Sequence, residues 1–250
     1  MSYKKWVNAE IDKAKASALS EKLNIDAFVA FLLVSRGIDN ELAATEFLSD
    51  GYRFSSPYLF KDMDKAVKRI NRALDDGESI CIYGDYDCDG VTSTSLLYTF
   101  LRALGGFVSY YIPNRIKDGY GMNKNAIDKI KADETDLIIT VDNGISSIEE
   151  AEYIYSLGME LIVTDHHQIG EKLPRAEAVI NPHREDNELE FRDFAGVGVA
   201  FKLACALYDG DIEDLLNDYA DYVTIGTIGD MVPLLDENRT IVKAGLQLIN

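Results

Sequence analysis

The stretch Ser79-Ile80-Cys81-Ile82-Tyr83-Gly84-Asp85-Tyr86-Asp87-Cys88-Asp89-Gly90 decides how this chain folds. Its first five residues are a short apolar run closed by glycine, which predicts a buried strand. The next seven place three Asp at alternate positions ahead of a Gly. Val91 to Leu104 then carries helical spacing and is stopped by Gly105-Gly106. Strand, acidic turn and helix make the opening of a βαβ unit. The same texture repeats downstream. Phe107 to Ile112 reads as a second strand ended by Pro113, and Asn123 as the N-cap of a short helix through Ala126 and Ile130. Leu137 to Val141 is a third strand. Ser147 and Glu150 have capping-box spacing for a helix ending near Leu157-Gly158. Leu161 to Val163 and Ala178 to Ile180 supply two more strands. Short strands apolar on both faces, alternating with helices, imply an α/β fold: a parallel sheet with helices on both faces.

On the N-terminal side, Met63, Val67, Ile70 and Leu74 recur at helical spacing and Gly77 closes that helix. Farther back, Ile25, Phe28, Val29, Leu32 and Leu33 mark a helix stopped at Gly37, and Leu42, Ala43, Glu46 and Phe47 a second short one. Ser55-Ser56-Pro57 breaks the pattern. The expected organisation is a small helical N-terminal module over 1–60 and an α/β domain over 61–250. After about residue 194 the chain turns helical again, over 197–207, 212–229 and from Arg239 onward. The last helix is still running at Asn250 without a cap, so this chain is expected to be part of a longer protein.

The 250 residues suit one large domain or one domain plus a small module. Lys plus Arg number 25 and Asp plus Glu 43, a net charge of −18. That balance argues against a general grip on DNA through a basic surface. It leaves a solvated acidic surface, or carboxylates gathered around metal ions that reverse the local sign. The longest apolar run, Ala27 to Val34, is far short of the roughly 18 residues of a membrane span. No apolar segment follows the basic N-terminus, so no secretory signal is read there. Cys81, Cys88 and Cys205 lack CxxC spacing and suggest reduced thiols in a cytoplasmic protein.

In open parallel sheets ligands collect beyond the C-terminal ends of the strands, and that is where this sequence places its acids. Strand one ends in Asp85-Tyr86-Asp87-Cys88-Asp89-Gly90, strand three in Asp142-Asn143-Gly144, and strand four in Asp165-His166-His167. Asp85-x-Asp87-x-Asp89-Gly90 also matches the start of an EF-hand loop, but that loop needs a Glu at its twelfth position, here Leu96, and a helix in front of it rather than a strand. A plain turn would use one Asp; three within five residues repel one another unless a cation is present. Asp142-Asn143-Gly144 alone reads as turn chemistry. Two adjacent His after an Asp are harder to explain by packing. Gly229-Asp230 ends an apolar helix, where a surface Asp is the plainer reading. Taken together, the carboxylates and His describe a binuclear site suited to Mn²⁺ before Zn²⁺. Cys88 should point away from it.

These four motifs resemble those of the DHH phosphoesterases. Within that superfamily, Ile112-Pro113-Asn114-Arg115, Asp118-Gly119-Tyr120-Gly121 and Gly226-Thr227-Ile228-Gly229-Asp230-Met231-Val232-Pro233-Leu234 resemble the RecJ single-strand-specific exonucleases. The resemblance implies two divalent ions, Mn²⁺ or Mg²⁺. Asp87 would bind the first and Asp89 the second, Asp142 would bridge them, and His166 and Asp230 would serve the second ion. Asp85 would complete the ligand set and Asp165 would orient a His. His167 would contact the scissile phosphate. Arg115, Gly119 and Tyr120 are candidates for substrate contact. The implied reaction is 5′→3′ hydrolysis of single-stranded DNA in repair or recombination, with a single-strand-binding protein or a helicase as partner. Relatives carry a C-terminal associated domain missing from this chain, so weak processivity is expected of it alone. Two other functions stay open: a DHH phosphoesterase for oligonucleotides, cyclic dinucleotides or pyrophosphate, and a non-catalytic DHH scaffold. Lys172, Arg175, Arg184 and Arg192 read as a solvated loop before a DNA-facing patch.

Overall fold

The computed structural model describes residues 10–49, 51, 54–114 and 121–250. The chain divides into two compact units, Met1–Tyr52 and Arg53–Asn250. The division falls ahead of residue 60: Phe54 and Phe60 pack on Phe201 and Phe194 as tilted ring pairs, at 6.3 and 5.6 Å between ring centroids, which joins them to the second unit.

The first unit holds three helices, α1 (Lys13–Leu23), α2 (Ala27–Ser35) and α3 (Glu41–Leu48). Asp12, Asp26 and Asn40 cap their N-termini through side-chain oxygens. A small core of Leu19, Ala30, Leu33 and Ala44 joins them.

The second unit is a five-stranded sheet with helices on both faces. In chain order it runs α4 (Met63–Asp76), β1 (Ser79–Tyr83), α5 (Cys88–Ala103), β2 (Phe107–Tyr111), α6 (Lys124–Ala132), β3 (Leu137–Val141), α7 (Ile148–Ser156), β4 (Glu160–Thr164), β5 (Ala178–Ile180), α8 (Gly196–Leu207), α9 (Ile212–Gly229) and α10 (Asp236–Ile249). All pairings are parallel and the strand order is β2-β1-β3-β4-β5. Strand order reverses between β1 and β3, so a crevice opens beyond the C-terminal ends of those two strands. The alternation of side chains explains why both faces are apolar. Ile80, Ile82, Leu137 and Ile139 pack with α4, α5, α8 and α9 on one side. Cys81, Tyr83, Ile138 and Leu161 pack with α6 and α7 on the other.

Several boundaries differ from the sequence reading. α5 starts at Cys88 rather than Val91, because Asp87 is its N-cap and accepts the Gly90 N–H at 2.9 Å. Asp89 therefore stands inside the first helical turn. The capping box at α7 does not form: Ser147 occupies the cap position with ψ 62°, outside extended geometry, and its hydroxyl makes no capping bond. α10 starts at Asp236, ahead of Arg239. Among the described residues no helix is long and apolar enough to cross a membrane.

Candidate metal centre

Four segments bring carboxylates and imidazoles to the crevice beyond β1 and β3. After β1 the chain passes through Gly84 into Asp85, which is buried. Gly90 lets the first turn of α5 close onto this segment, since a Cβ there would stand 2.6 Å from the Asp85 carbonyl oxygen. This close packing buries Asp89 and leaves Asp87 exposed at the cap. The Asp89 carboxylate accepts the N–H groups of Gly196 and Val197 at 2.6 and 2.8 Å. It thereby serves the orphan donors at the start of α8, where a negative charge is favoured.

After β3, Asp142 takes a left-handed backbone conformation, φ 60°. Such a conformation costs of order 1–3 kcal/mol in a residue other than glycine. Neighbouring Asn143 is buried and donates from Nδ2 to the carbonyls of Val141 at 2.9 Å and Tyr83 at 3.2 Å. It ties the ends of β1 and β3 together beside the strained Asp142. After β4, Asp165 is saturated by protein donors. Oδ2 accepts the Ile145 N–H at 2.9 Å, and Oδ1 accepts the N–H groups of His166 and His167 and meets His167 Nδ1 at 2.7 Å. Asp165 thus shapes the loop and aims His167.

Three groupings result, each with one ligand atom per residue and all atoms within 4.8 Å: Asp85 with Asp87 and Asp142, Asp89 with His166 and Asp230, and Asp142 with His166 and His167. Asp142 belongs to two of them. His166 Nε2 lies 3.1 Å from Asp142 Oδ1 and 3.7 Å from both Asp89 Oδ2 and Asp230 Oδ2. The His166–Asp142 approach is close in distance but lacks hydrogen-bond geometry, and Asp85 Oδ1, Asp142 Oδ1 and His166 Nε2 are buried without a hydrogen-bond partner. Orphaned buried acceptors of this kind call for a ligand.

The electrostatics agree. Burial first, then the charges of Asp89, Asp87 and Asp165, pushes the Asp142 carboxyl up to about 10. Burial also pushes Asp89 up to about 6, against the donors of Val197 and Gly196 and the His166 ring. Asp85 is raised by burial and by Asp87. Burial would raise Asp165 too, but His167 and the donors of Ile145 and His167 outweigh it and hold this carboxyl below its ordinary value. Its hydrogen bond in turn raises His167. Among the described residues, no lysine or arginine pairs with Asp85, Asp87, Asp89 or Asp142. Carboxylates held this close, with one or two imidazoles, fit divalent cations of the Mn²⁺ and Mg²⁺ type.

Eight of the expected site residues therefore come together: Asp85, Asp87, Asp89, Asp142, Asp165, His166, His167 and Asp230. Arg115, Gly119 and Tyr120 lie outside the described residues. Cys88 faces α9, with Sγ 3.6 Å from the Ile225 carbonyl, and is in none of the groupings. Of the four basic residues considered as a patch, Arg184 is buried between Asp62 and Asp186, Arg192 donates to backbone carbonyls, and Arg175 stacks on Tyr155 at 3.9 Å. These three hold loops. Sequence reasoning missed Gly196 and Asn143 as positioning residues. The only signal for Gly196 was its place ahead of an apolar helix.

Residues 79–227 match the DHH family, N-terminal domain. The chain belongs to the DHH family. Within it, the chain is similar to the single-stranded-DNA-specific exonuclease RecJ of Bacillus subtilis (strain 168), 46% identical over 244 residues, which are 97% of this chain and 30% of that protein. A crystal structure of RecJ from Thermus thermophilus in complex with Mn²⁺ superposes with a TM-score of 0.73 at 31% identity, over 94% of this chain and 33% of that one. A second RecJ structure from the same organism, in complex with Mg²⁺, gives a TM-score of 0.62 at 29% identity, over 94% and 29%. The chain spans about a third of the length of the curated relatives it matches.

Proposed function

We propose that this chain is the phosphodiesterase core of a single-strand-specific DNA exonuclease that works from the 5′ end with two divalent cations, Mn²⁺ or Mg²⁺, in DNA repair or recombination. One observation carries the reading: Asp142 is shared between a group with Asp85 and Asp87 and a group with His166, whose Nε2 also faces Asp89 and Asp230. Two adjacent cations, when bound, would activate a water and neutralise the charge that builds up on a phosphodiester. Asp85 and Asp87 would hold one, Asp89, His166 and Asp230 the other, and Asp142 both.

The residues around that centre have separate tasks. His167, whose protonated form Asp165 favours, would face the phosphodiester. As water oxygen bonds to phosphorus and the P–O3′ bond breaks, the His167 proton would pass to the departing 3′ oxygen, the proton shed by the water would go to solvent, and solvent would reprotonate His167. Asp165 keeps its own charge and holds the ring in place, an orienting role like that of the carboxylate in a nucleophile triad. The acidic surface elsewhere gives the chain little hold on a DNA backbone.

The test is degradation of 5′-phosphorylated single-stranded DNA labelled at its 3′ end, with Mn²⁺ and with EDTA, by the chain and by Asp142→Ala. Metal-dependent trimming from the 5′ end, absent on duplex and lost in Asp142→Ala with an unchanged circular dichroism spectrum, is the expected result. Faster hydrolysis of dinucleotides than of long strands would favour a small-substrate phosphoesterase instead. Metal binding without hydrolysis of any phosphoester would favour a scaffold.

A further inference from the structure

A cavity of about 380 Å³ lies between the loop after β4 and the loop after β5, lined by residues of 168–173 and 183–186. It falls within the range of small-ligand pockets. It is also joined to the metal centre. Gln168 on its wall follows His167 in the chain. The fully buried Asn181 donates from Nδ2 to the His167 carbonyl at 2.9 Å and accepts the His183 N–H on Oδ1 at 2.8 Å. One side chain thus sets both walls and the catalytic histidine's backbone.

The lining tells what the cavity takes. Among the described residues that line it, Arg184 is the one permanent cation, and every nitrogen of its guanidinium is engaged: Nη1 with Asp62 at 2.6 Å and Val179 O at 2.8 Å, Nη2 and Nε with Asp186 at 2.7 and 2.9 Å. Four of its five N–H donors are used in this way and its charge is matched by two carboxylates, so it offers a phosphate little, and Asp186 and Glu185 on the rim repel one. The rest of the lining comes from His183, which carries a flat ring, from Gln168, which carries an amide, from Gly170 and Glu185, and from the apolar Ile169 and Leu173. Ile169 is anchored on the core beneath the sheet. Leu173 is 39% exposed, a large apolar side chain facing water. A flat ring, apolar walls and one amide that both donates and accepts suit an uncharged heterocycle.

We propose that this cavity receives a nucleobase of the strand being cut, next to the phosphodiester held at His167. The proposal rests on the nuclease reading above and adds its substrate contact: the base is gripped on the β5 side while the phosphate is held over β1 and β3. Stacking on His183 tolerates any base, as a sequence-independent nuclease requires.

The closing experiment separates this proposal from the nuclease reading. Metal-free protein is titrated with thymidine 5′-monophosphate, with deoxyadenosine 5′-monophosphate and with abasic deoxyribose 5-phosphate, following the His183 imidazole by NMR. Gly170 lines the cavity, has open space about its Cβ position and no left-handed φ, so Gly170→Trp is compatible with the fold and narrows the cavity. Both nucleotides should shift His183 and the abasic sugar should not. Gly170→Trp, followed through His183, and His183→Ala, followed by calorimetric titration of the same nucleotides, should each weaken nucleotide binding about tenfold, the scale of one lost base stack. Equal responses to nucleotide and abasic sugar, no response to either, or indifference to Gly170→Trp would each overturn the proposal. The nuclease reading fails differently, by the absence of metal-dependent trimming on every DNA tested while the nucleotide titration still gives its own answer.

Discussion

A Cβ on Gly196 would stand 2.6 Å from the Cβ of Asp142 and 2.8 Å from its Oδ1. These residues are far apart in the sequence, yet the first turn of α8 lies directly against the carboxylate that belongs to two of the three metal groupings. Glycine at 196 lets the helix N-terminus come close enough for its N–H groups to hold Asp89 at the same time. Gly196→Ala must therefore move Asp142 or α8. The expected outcome is Mn²⁺ binding weakened at least about tenfold, with helix content unchanged. Calorimetric titration with Mn²⁺ beside far-UV circular dichroism checks it; wild-type affinity would show that the contact does not position Asp142.

The Asp165–His167 pair predicts a pH dependence. Asp165 raises His167 and is itself held low. His167 stays protonated to a higher pH than an ordinary imidazole, so a rate that needs its proton falls only above that raised value. Asp165→Asn removes the charge, and the alkaline limb of the pH–rate profile should move to lower pH, with turnover down by about 10²-fold at neutral pH. Parallel histidine titration by NMR should show the His167 pKa falling in the same variant. An unmoved limb would mean that another group carries the proton.

Metal-free stability should fall as pH rises. Asp89 and Asp142 have folded pKa values of about 6 and about 10, both above the ordinary 3.8. A carboxyl with a raised folded pKa binds more protons in the folded than in the unfolded state, so stability declines from the unfolded pKa up to the folded one. His167, also raised, contributes stability that is present below its unfolded pKa and lost as pH rises through the folded value. Asp165, held low, acts in the opposite sense only at acid pH. Melting temperature in EDTA should drop between about pH 5 and pH 8. Saturating Mn²⁺, whose ligands must be deprotonated, should abolish or reverse that drop. A flat profile in EDTA would mean that these carboxylates are not crowded in the metal-free protein.

Much of this site was legible because the strands are short apolar runs and the acids follow them immediately: Asp85 after Tyr83-Gly84, Asp142 after Val141, Asp165 after Thr164. Parallel pairing then forces those ends together. Four things were not legible from periodicity and spacing. Strand order depends on helix crossovers that periodicity does not record, and it alone makes β1 and β3 neighbours. The grip of Gly196 and Val197 on Asp89 spans more than a hundred residues and involves backbone N–H groups, which every residue but proline carries. Asp230 at a helix end looks by itself like any surface Asp; only the family resemblance marked it, and in the fold His166 stands 3.7 Å away. The buried position of Arg184 was hidden too, because its partner Asp62 lies far back in the chain, ahead of the first strand.

Stability has its own test at the other end of α8. Lys202 is buried and meets Glu237 at 2.5 Å, and both bond Ser55, which gives 2.8 Å from Lys202 Nζ to Ser55 O and 3.1 Å from Ser55 N to Glu237 Oε1. The pair ties α8 to α10 and to the start of the second unit. A buried pair is costly to desolvate, so its presence adds little over apolar residues of the same size, but removing one partner strands the other charge. Lys202→Met should cost about 3–5 kcal/mol, a fall in melting temperature of about 6–20 °C. The double variant Lys202→Met, Glu237→Leu should recover most of that loss, because no charge is left unpaired. Thermal melts of the two variants in the same buffer decide the point: a double variant as unstable as the single one would mean that the network's hydrogen bonds to Ser55, rather than the charge pair, hold α8 and α10 together.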